Sequence, residues 1–342
     1  MKAAILRQFG TISVEDLPKP EMGDYDALCE LVYGATCTGT DSHIIQGCFP
    51  FCSPLPTIFG HESTGRVIAV GKKVRHFKEG DLVTRVGTPP VGGCSITWGG
   101  FAEYGIAKDH WAMKADGLPA SEWTDKRVNQ IIPHGINARV APMFTTWRET
   151  LSYLMRLKVN LPGSRVLIMG SGGNGLAFAA HAANEEAEVT VVGATRLQEQ
   201  VLSKTRTAHY IDYKHSDLTT RLAEHCPQGF DLIIDAIGKN GLVDTVLPCL
   251  KPYGTIAAYG IDDYQQVSLN PTRAKGGFRF CDHSNYDEAE THDAVCQLVR
   301  EGKLDASLWY DLEQPWPLTS IADAFQALWA RKSVKALIQL KG

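Results

Sequence analysis

Three glycines within residues 165–196 have the spacing of a loop that binds the pyrophosphate of a dinucleotide. This segment reads RVLIMGSGGNGLAFAAHAANEEAEVTVVGATR. Gly170, Gly172 and Gly175 follow directly after an apolar run and form the pattern GxGxxG. In such a loop the first glycine permits a tight turn, the second lets backbone amides approach the pyrophosphate, and the third lets a helix pack against the strand. Further candidates for cofactor contact in the same turn are Gly173 and Asn174.

The residues after the second apolar run indicate which dinucleotide is bound. An NAD site usually carries an acidic residue about 20 residues past the glycines, where it accepts hydrogen bonds from the adenosine ribose. Here that position falls on Ala194, followed by Thr195 and Arg196. A hydroxyl and a guanidinium are donors that suit a 2′-phosphate. We therefore expect NADP(H) to be preferred over NAD(H), with Tyr213 closing the same pocket. The alternative is that Arg196 is a solvated residue at the start of a helix.

The elements that must position these residues alternate between strand and helix. Residues 151–288 contain the apolar runs VLIMG, VTVVG, YIDY, FDLIIDAIG, GTIAAYG and FRFCD, separated by helical stretches. This alternation predicts a parallel, doubly wound sheet of the Rossmann type, which binds ligands at the carboxyl ends of its strands. Val166–Met169 is the predicted first strand, and the helix after it is expected to begin near Leu176. Ile237 and Gly260 lie at or near the ends of two later runs and are also expected to contact the cofactor.

The residues on either side of this region have a different pattern. The first 150 residues open with short β-like segments that Gly and Pro interrupt every 8 to 12 residues or so, which predicts an antiparallel, barrel-like domain. Residues 289–342 contain two amphipathic helical stretches and the apolar run VKALIQL, and we expect them to return to the first domain. The predicted fold class is therefore α/β, with segments 1–150, 151–288 and 289–342.

Composition narrows the classes of partner. A net charge of −4 and a pI near 6.3 give no reason to expect nucleic acid or an anionic membrane as a partner. The N-terminal MKAAILRQFG lacks the apolar stretch of a signal peptide. The nine cysteines form no CxxC pairs, which argues against a secreted disulfide framework. We expect a cytoplasmic homodimer or homotetramer that acts on a small molecule, with no nucleic-acid or membrane partner.

Several segments of the N-terminal half complete a family pattern. They are GATCTGTDSHIIQG at 34–47, GHESTGRVIAVG at 60–71 and GGFAEY at 99–104. Together with the glycine loop, these motifs resemble the medium-chain dehydrogenase/reductase superfamily, in its zinc-dependent alcohol and polyol dehydrogenase branch. The resemblance spans the chain. It implies a GroES-like catalytic domain over 1–150, an NADP(H)-binding Rossmann domain over 151–288 and one catalytic zinc ion.

The first implied zinc ligand is Cys37. In the family, a cysteine is followed closely by a hydroxyl residue, an aspartate and a histidine, and this chain offers Thr40, Asp41 and His43. One residue more than usual separates Cys37 from Thr40, so a gapless alignment would place Thr38 at the ligand position. A thiolate is a good zinc ligand, whereas a neutral hydroxyl is poor. We therefore take Cys37 as the ligand.

The second implied ligand is His61 of the GHE motif, with Glu62 beside it as an inner-sphere or alternate ligand. The family's third ligand lies near the start of the helix that leads into the coenzyme domain, where a gapless alignment falls on Thr145. Glu149 lies four residues later on the same helix face, and RETLS around it resembles the EPLS of polyol dehydrogenases, so Glu149 is the predicted third ligand. The alternative is a carboxylate near a helix start, with the metal bound loosely or not at all. Cys94 stands alone where the family's structural zinc needs four cysteines, so we expect one zinc ion only.

The resemblance also implies the reaction and its catalytic residues. Zinc would polarise the substrate oxygen while a hydride passes to or from the nicotinamide. Thr40 matches the family's relay hydroxyl, and His43 would pass the proton onward to solvent. The alternative is that His43 is a loop histidine with no role. Asp41 would orient the His61 ring, and Glu62 completes the predicted catalytic set.

The predicted function is a zinc-dependent, NADP(H)-linked oxidoreductase that interconverts a ketone and a secondary alcohol of the polyol, sugar or cyclitol type. Two alternatives stay open at this stage. One is a zinc-free, NADPH-dependent reductase of the quinone or enoyl type, and the other is a non-catalytic NADP(H)-binding protein. The aromatic residues Phe49, Trp98 and Trp147 could line either an apolar or a sugar-stacking pocket.

Overall fold

The computed structural model describes residues 1–193, 208–214, 217–263, 266–284 and 286–341. These residues divide into two units. Unit 1 comprises residues 1–148 and 288–342, and unit 2 comprises residues 149–287. In the described ranges, no helix is both long and apolar enough to cross a membrane.

The strands and helices are numbered in chain order. The strands are β1 (Lys2–Gln8), β2 (Thr11–Asp16), β3 (Asp26–Ala35), β4 (Thr57–Ile58), β5 (Glu62–Val70), β6 (Leu82–Thr84), β7 (Ser95–Ile96), β8 (Tyr104–Lys108), β9 (Ile131–Ile132), β10 (Arg165–Met169), β11 (Glu188–Gly193), β12 (Ala208–Asp212), β13 (Phe230–Asp235), β14 (Leu250–Ala258), β15 (Arg279–Cys281), β16 (Trp316–Pro317) and β17 (Leu337–Gln339). The α-helices are α1 (Thr40–Gln46), α2 (His110–Ala115), α3 (Ala120–Trp123), α4 (Met143–Arg156), α5 (Gly173–Asn184), α6 (Leu218–His225), α7 (Leu242–Val246), α8 (His292–Arg300) and α9 (Ile321–Trp329). Short 3-10 helices lie at Thr124–Val128, Leu247–Cys249, Pro271–Arg273, Glu288–Thr291, Ala306–Leu308 and Leu318–Ser320.

Unit 1 is built on two sheets. A four-stranded sheet has the order β2-β1-β4-β7, and a larger sheet has the order β16-β17-β3-β5-β6-β9 with β8 also paired to β3. The pairs of β3 with β5 and with β8 are antiparallel, as the short segments in this part of the sequence predicted. Near the C-terminus, β17 pairs antiparallel with β3 and sets Leu337 opposite Ala35. This pairing brings the last residues of the chain beside the loop that follows β3.

Unit 2 is built on one parallel sheet with the order β12-β11-β10-β13-β14-β15. Its central strand β10 pairs in parallel with both β11 and β13, and Val166–Met169 is buried throughout. A strand covered on both faces has no solvent side, which explains the uninterrupted apolar run. The predicted α/β class with a parallel doubly wound sheet is confirmed.

The helix after β10 differs from the prediction in where it begins. α5 begins at Gly173 rather than near Leu176, so the glycines themselves form its first turn. A Cβ added at Gly175 would lie 1.9 Å from the backbone oxygen of Gly170. The glycine pattern therefore brings the helix start close against the end of β10.

Candidate metal centre and cofactor loop

Cys37 lies in a short turn between β3 and α1. Its backbone N–H donates to Oδ2 of Asp41 at 2.8 Å, and the N–H of Asp41 donates to the Cys37 carbonyl at 3.2 Å. These two bonds close a turn that holds the residue inserted between Cys37 and Thr40. The turn leaves the Cys37 side chain buried, with 7% exposed, whereas Thr38 is exposed. The longer spacing thus keeps the cysteine, and not the threonine, at the candidate site.

His61 and Glu62 enter the site from the start of β5. Gly60 precedes them with a φ of +98°, and an added Cβ there would lie 2.4 Å from the Phe101 ring. Only glycine fits this turn, because the left-handed backbone and the contact with Phe101 both exclude a side chain. The turn lets His61 and Glu62 present their side chains to the same buried space, although neighbouring residues in a strand point to opposite faces.

Asp41 holds the His61 ring. Oδ1 of Asp41 lies 3.2 Å from Nδ1 of His61, and both side chains are buried. The contact is an ion pair and not a well-aligned hydrogen bond. On the opposite side of the ring, Nε2 lies 3.8 Å from Oε1 of Glu62. Burial lowers the pKa of His61, but the charges of Asp41 and Cys37 outweigh it and raise the pKa well above its ordinary value.

Cys37, His61 and Glu62 meet in one buried group. Their ligand atoms all lie within 4.8 Å of one another. Two ligands that each lie about 2.1 Å from one zinc ion can be at most about 4.2 Å apart, so the 3.8 Å between His61 and Glu62 is compatible with a shared ion. One thiol, one imidazole and one carboxylate are also a donor set that Zn²⁺ accepts, with a fourth position left for substrate. These residues therefore fit a catalytic zinc ion.

Glu149 lies outside this group. It is half-buried on α4 at the first residue of unit 2, and its role as a third ligand stays a prediction. Thr145, at the position of the gapless alignment, is buried. Thr40 and His43 are both half-buried and lie three residues apart on α1, so they share one helix face.

Two polar residues that sequence reasoning missed also contact Glu62. Nζ of Lys335 donates to both carboxylate oxygens at 2.6 Å, and Oγ1 of Thr146 donates to Oε1 at 2.9 Å. Lys335 is 1% exposed and Thr146 is also 1% exposed. Burial raises the pKa of Glu62, although the charge of Lys335 opposes this rise. Burial lowers the pKa of Lys335, but the charge of Glu62 outweighs burial, so the pKa of Lys335 lies above its ordinary value. The one signal in the sequence is a lysine that interrupts the apolar run VKALIQL.

Aromatic rings flank the group on one side. The rings of Trp98 and His61 have centroids 5.1 Å apart, and Phe49 packs against Trp98 at 5.6 Å. Trp98 is 39% exposed, so these two rings can meet a substrate. Trp147 differs from the expectation because it is 0% exposed and packs edge-to-face against Trp309, which makes it a core residue of unit 1.

In unit 2, the glycine loop has the backbone that a dinucleotide site needs. Gly170 has a φ of +106° and Gly172 caps the N-terminus of α5, with Gly173 and Asn174 in its first turn. The free N–H groups of a helix start attract anions such as a pyrophosphate. A Cβ added at Gly170 would lie 2.7 Å from Cγ1 of Ile237. The structure therefore brings the loop and Ile237 together.

The strand ends beside this loop are equally close. A Cβ added at Gly260 would lie 2.0 Å from the carbonyl carbon of Ile237, so Gly260 also belongs to this group. Buried Asp235 shapes the turn, since its Oδ1 accepts hydrogen bonds from the N–H groups of Ile237 and Gly238 at 2.9 Å. The carboxyl ends of β10, β13 and β14 thus meet at the glycine loop, where a doubly wound sheet binds its ligand.

The residues expected to recognise the 2′-phosphate fall mostly outside the described residues. Thr195 and Arg196 are among those that the structure does not describe. Tyr213 is described, and its N–H donates to the Gly193 carbonyl at 3.0 Å. Its side chain is exposed, and its backbone bond is to the last residue of β11.

Two segments of the chain match known protein families. Residues 23–118 match the family described as the alcohol dehydrogenase GroES-like domain. Residues 173–295 match the family described as zinc-binding dehydrogenase. The first range contains Cys37, His61 and Glu62, and the second begins at the first residue of α5. The predicted fold class, which combines a GroES-like domain with a Rossmann-type sheet, is confirmed.

Individual relatives cover most of the chain. It is similar to D-arabinitol dehydrogenase 1 of Uromyces fabae, at 27% identity over 280 residues that span 73% of this chain and 72% of the relative. It is also similar to L-threonine 3-dehydrogenase of Vibrio parahaemolyticus, at 28% identity over 309 residues, with 86% and 87% covered. Among solved structures, 2R,3R-butanediol dehydrogenase of Bacillus subtilis has a TM-score of 0.80 at 18% identity, with 99% of both chains covered. This last likeness shows a shared fold.

Proposed function

We propose that this chain uses one zinc ion and prefers NADP(H). The chain belongs to the medium-chain dehydrogenase/reductase superfamily and is an alcohol dehydrogenase of that superfamily. Its substrate pair is a secondary alcohol of the polyol, sugar or cyclitol type and the corresponding ketone. The observation that carries the proposal is the buried group of one thiol, one imidazole and one carboxylate, with all ligand atoms within 4.8 Å. Buried ionisable groups are costly unless they are paired or coordinate a metal, and these three side chains converge on one point.

Cys37, His61 and Glu62 would hold the metal ion. Zinc bound there supplies a Lewis acid for the oxygen of an alcohol or a ketone. Asp41 fixes the His61 ring through Nδ1, which leaves Nε2 on the side of Glu62. Such a carboxylate beside a ligating histidine orients the ring and raises its basicity.

α1 supplies a path for the proton. Thr40 and His43 are one helical turn apart on the same face, immediately after the turn that holds Cys37. The Thr40 hydroxyl would take the proton of the alcohol and pass its own proton to His43, which is half-buried and therefore reaches solvent. This relay separates the proton from the hydride that goes to the cofactor.

The glycine loop and the residues after β11 would bind the cofactor. Gly170, Gly172, Gly173 and Asn174 would face the pyrophosphate at the start of α5, and Ile237 and Gly260 complete the wall. The NADP(H) preference is supported by the sequence after β11, where Ala194 takes the place of the usual acid and Thr195 and Arg196 follow it. Nicotinamide supplies the hydride chemistry when bound.

The substrate class is supported by the relatives and by the aromatic rings. The two relatives are named for a polyol and for a hydroxy amino acid. In both compounds, a carbon with a secondary hydroxyl adjoins a carbon that bears another polar group. Trp98 and Phe49 lie beside His61 and offer ring faces to the C–H faces of such a molecule.

A substrate screen with and without metal tests the proposal. Purified protein is assayed with arabinitol, other polyols, cyclitols and threonine, with NADP⁺ or NAD⁺, before and after treatment with a chelator and again after zinc is restored. We expect oxidation of at least one secondary alcohol, loss of the activity on chelation and its return with zinc. NADPH-dependent reduction of quinones or enoyl compounds that chelation leaves intact would contradict the proposal, and so would cofactor binding without turnover of any alcohol or ketone.

A further inference from the structure

Lys335 is a buried cation placed directly on a candidate metal ligand. It lies just before β17, and its N–H donates to the Trp309 carbonyl at 2.9 Å. Its ammonium donates to the Thr36 carbonyl at 3.2 Å and to both oxygens of Glu62 at 2.6 Å. Because both carboxylate oxygens are engaged, Glu62 already has a full counter-charge without any metal ion.

The neighbouring contacts keep this ion pair in place. Oγ1 of Thr36 accepts a hydrogen bond from the N–H of Ala336 at 2.8 Å, which ties the loop after β3 to the residue after Lys335. Thr146 on α4 donates to the same oxygen of Glu62 that faces His61. A buried carboxylate without a partner is strongly destabilising, whereas one that is paired and hydrogen-bonded is tolerated. The site is therefore built to stay folded before metal arrives.

A metal ion at the same site changes the balance of charges. Zinc adds two positive charges. The Cys37 thiolate and the Glu62 carboxylate supply two negative charges among the ligands, and buried Asp41 supplies a third at Nδ1 of His61, away from the Nε2 that faces Glu62. Lys335 adds a third positive charge that no water can screen, because the lysine is 1% exposed. Like charges in a dry site repel strongly. The ammonium and the metal ion would then have to share one carboxylate.

We propose that Lys335 sets how tightly the site holds zinc, by occupying Glu62 in the metal-free protein and opposing the metal ion when it binds. This inference rests on the metal centre proposed above. Lys335 thus keeps the metal-free chain folded and weakens its affinity for zinc relative to the same three ligands without the lysine. Its role is to position and neutralise Glu62, and it is not itself a ligand.

Two variants of the full chain test this proposal. Metal is removed with a chelator, zinc affinity is measured by competition with a chromogenic chelator, and the Tm is measured with and without zinc. Lys335→Met should bind zinc at least about tenfold more tightly than wild type, which corresponds to about 1.4 kcal/mol. Its metal-free Tm should fall by about 10 °C, because Glu62 loses its partner. Zinc should restore most of this loss.

The double variant Glu62→Gln, Lys335→Met is the matched control. Both charges are gone, so its metal-free Tm should return close to that of wild type, while its zinc affinity should fall at least about tenfold below wild type. If Lys335→Met is soluble only when zinc is present during expression, the metal has replaced the lysine and the proposal is supported.

Several results would overturn the proposal. Zinc affinity of Lys335→Met equal to or weaker than wild type would show that the lysine does not oppose the metal. The proposal would also fail if Lys335→Met stayed insoluble in the presence of zinc while the double variant was soluble, because zinc would then not replace the lysine. If no form binds zinc, the metal centre of the proposed function fails as well, which distinguishes that failure from a failure of this inference alone.

Discussion

At the scale of single residues, the candidate centre consists of charges that must balance without water. Asp41 faces His61, and Lys335 faces Glu62, so each of the two implied ligands next to β5 has an oppositely charged neighbour. The backbone N–H of Cys37 is bonded to the second oxygen of Asp41. A single aspartate therefore holds two of the three ligands in position, and its removal would release both.

The proposed preference for NADP(H) rests chiefly on one residue, Arg196. We expect Arg196→Ala to lower kcat/KM for NADPH by about ten- to a hundredfold, because a charge-assisted hydrogen bond contributes roughly 1.5–3 kcal/mol. The efficiency with NADH should change little, since NADH has no 2′-phosphate. Steady-state kinetics with both cofactors measure the effect, and Ala194→Asp combined with Arg196→Ala should improve NADH further. A parent enzyme that already prefers NADH, or an equal loss with both cofactors, would show that Arg196 does not read the phosphate.

Motif spacing predicted some residues of the centre and missed others. Cys37, His61 and Glu62 follow from local motifs, and the structure brings them together. The choice of Cys37 over Thr38 depends on a turn closed by Asp41, which an alignment alone does not describe. Lys335 is 273 residues from Glu62 in the sequence, and no local pattern relates the two. Only the pairing of β17 with β3 brings Lys335 and Glu62 together.

At the scale of elements, a cluster of charges anchors the first half of α4 to α8 within unit 1. Arg148 is 0% exposed and binds the carboxylate of Glu288 and the Val128 carbonyl. His292 is the first residue of α8. Its Nδ1 lies 3.3 Å from Nη1 of Arg148, and its Nε2 lies 2.9 Å from the Ile131 carbonyl oxygen. The ring can donate to the carbonyl and accept from Arg148 only when it is neutral.

This cluster makes the stability of the protein depend on pH. Burial, together with the charge of Arg148, lowers the pKa of His292 to about 4. Between pH 6.5 and 4, the unfolded chain takes up a proton that native His292 refuses, so the free energy of unfolding falls as the pH falls. We expect His292 to account for a loss of about 2 kcal/mol between pH 7 and pH 5. Urea unfolding at both pH values measures it.

The matched variant for this prediction is His292→Gln, whose amide can still donate to Ile131 and accept from Arg148. It should be less sensitive to acid than wild type by about the same 2 kcal/mol. Burial also lowers the pKa of His110 to about 4, but this residue stays in both proteins and its effect cancels in the comparison. An identical loss of stability in both proteins between pH 7 and pH 5 would show that His292 is not the acid-sensitive group.

Most elements of unit 2 were predictable because their patterns are local. The apolar runs correspond to β10, β11, β12, β13, β14 and β15. The run is clearest in the inner strands β10 and β13, because a strand buried on both faces can hardly contain polar residues. The start of α5 was misplaced by three residues, because glycine has a low helix propensity that the loop geometry overrides here. The sequence offers Trp147 as one residue that could line a pocket, but α4 is buried over most of its length and places Trp147 in the core.

At the scale of the whole molecule, the two units carry separate parts of the chemistry. Unit 1 holds Cys37, His61, Glu62 and Lys335, which come from both ends of its discontinuous sequence. Unit 2 holds the glycine loop and the strand ends beside it. The C-terminal segment supplies both β17 and the lysine at the centre. Deletion of this segment would therefore remove a charge from the metal centre as well as a strand from the larger sheet.

The central claim is that Cys37, His61 and Glu62 bind one zinc ion, and X-ray absorption at the zinc edge tests it most directly. Together with elemental analysis, the spectrum of the intact protein should show about one zinc per chain, with one sulfur at about 2.3 Å and nitrogen or oxygen ligands at about 2.0–2.2 Å. Glu62→Gln should lower the zinc content, and Glu149→Gln measures separately whether the third ligand predicted from the sequence contributes. This ligand set would be contradicted by a zinc ion without a sulfur neighbour or with several sulfur neighbours. It would also be contradicted if Glu149→Gln lost its zinc while Glu62→Gln retained it.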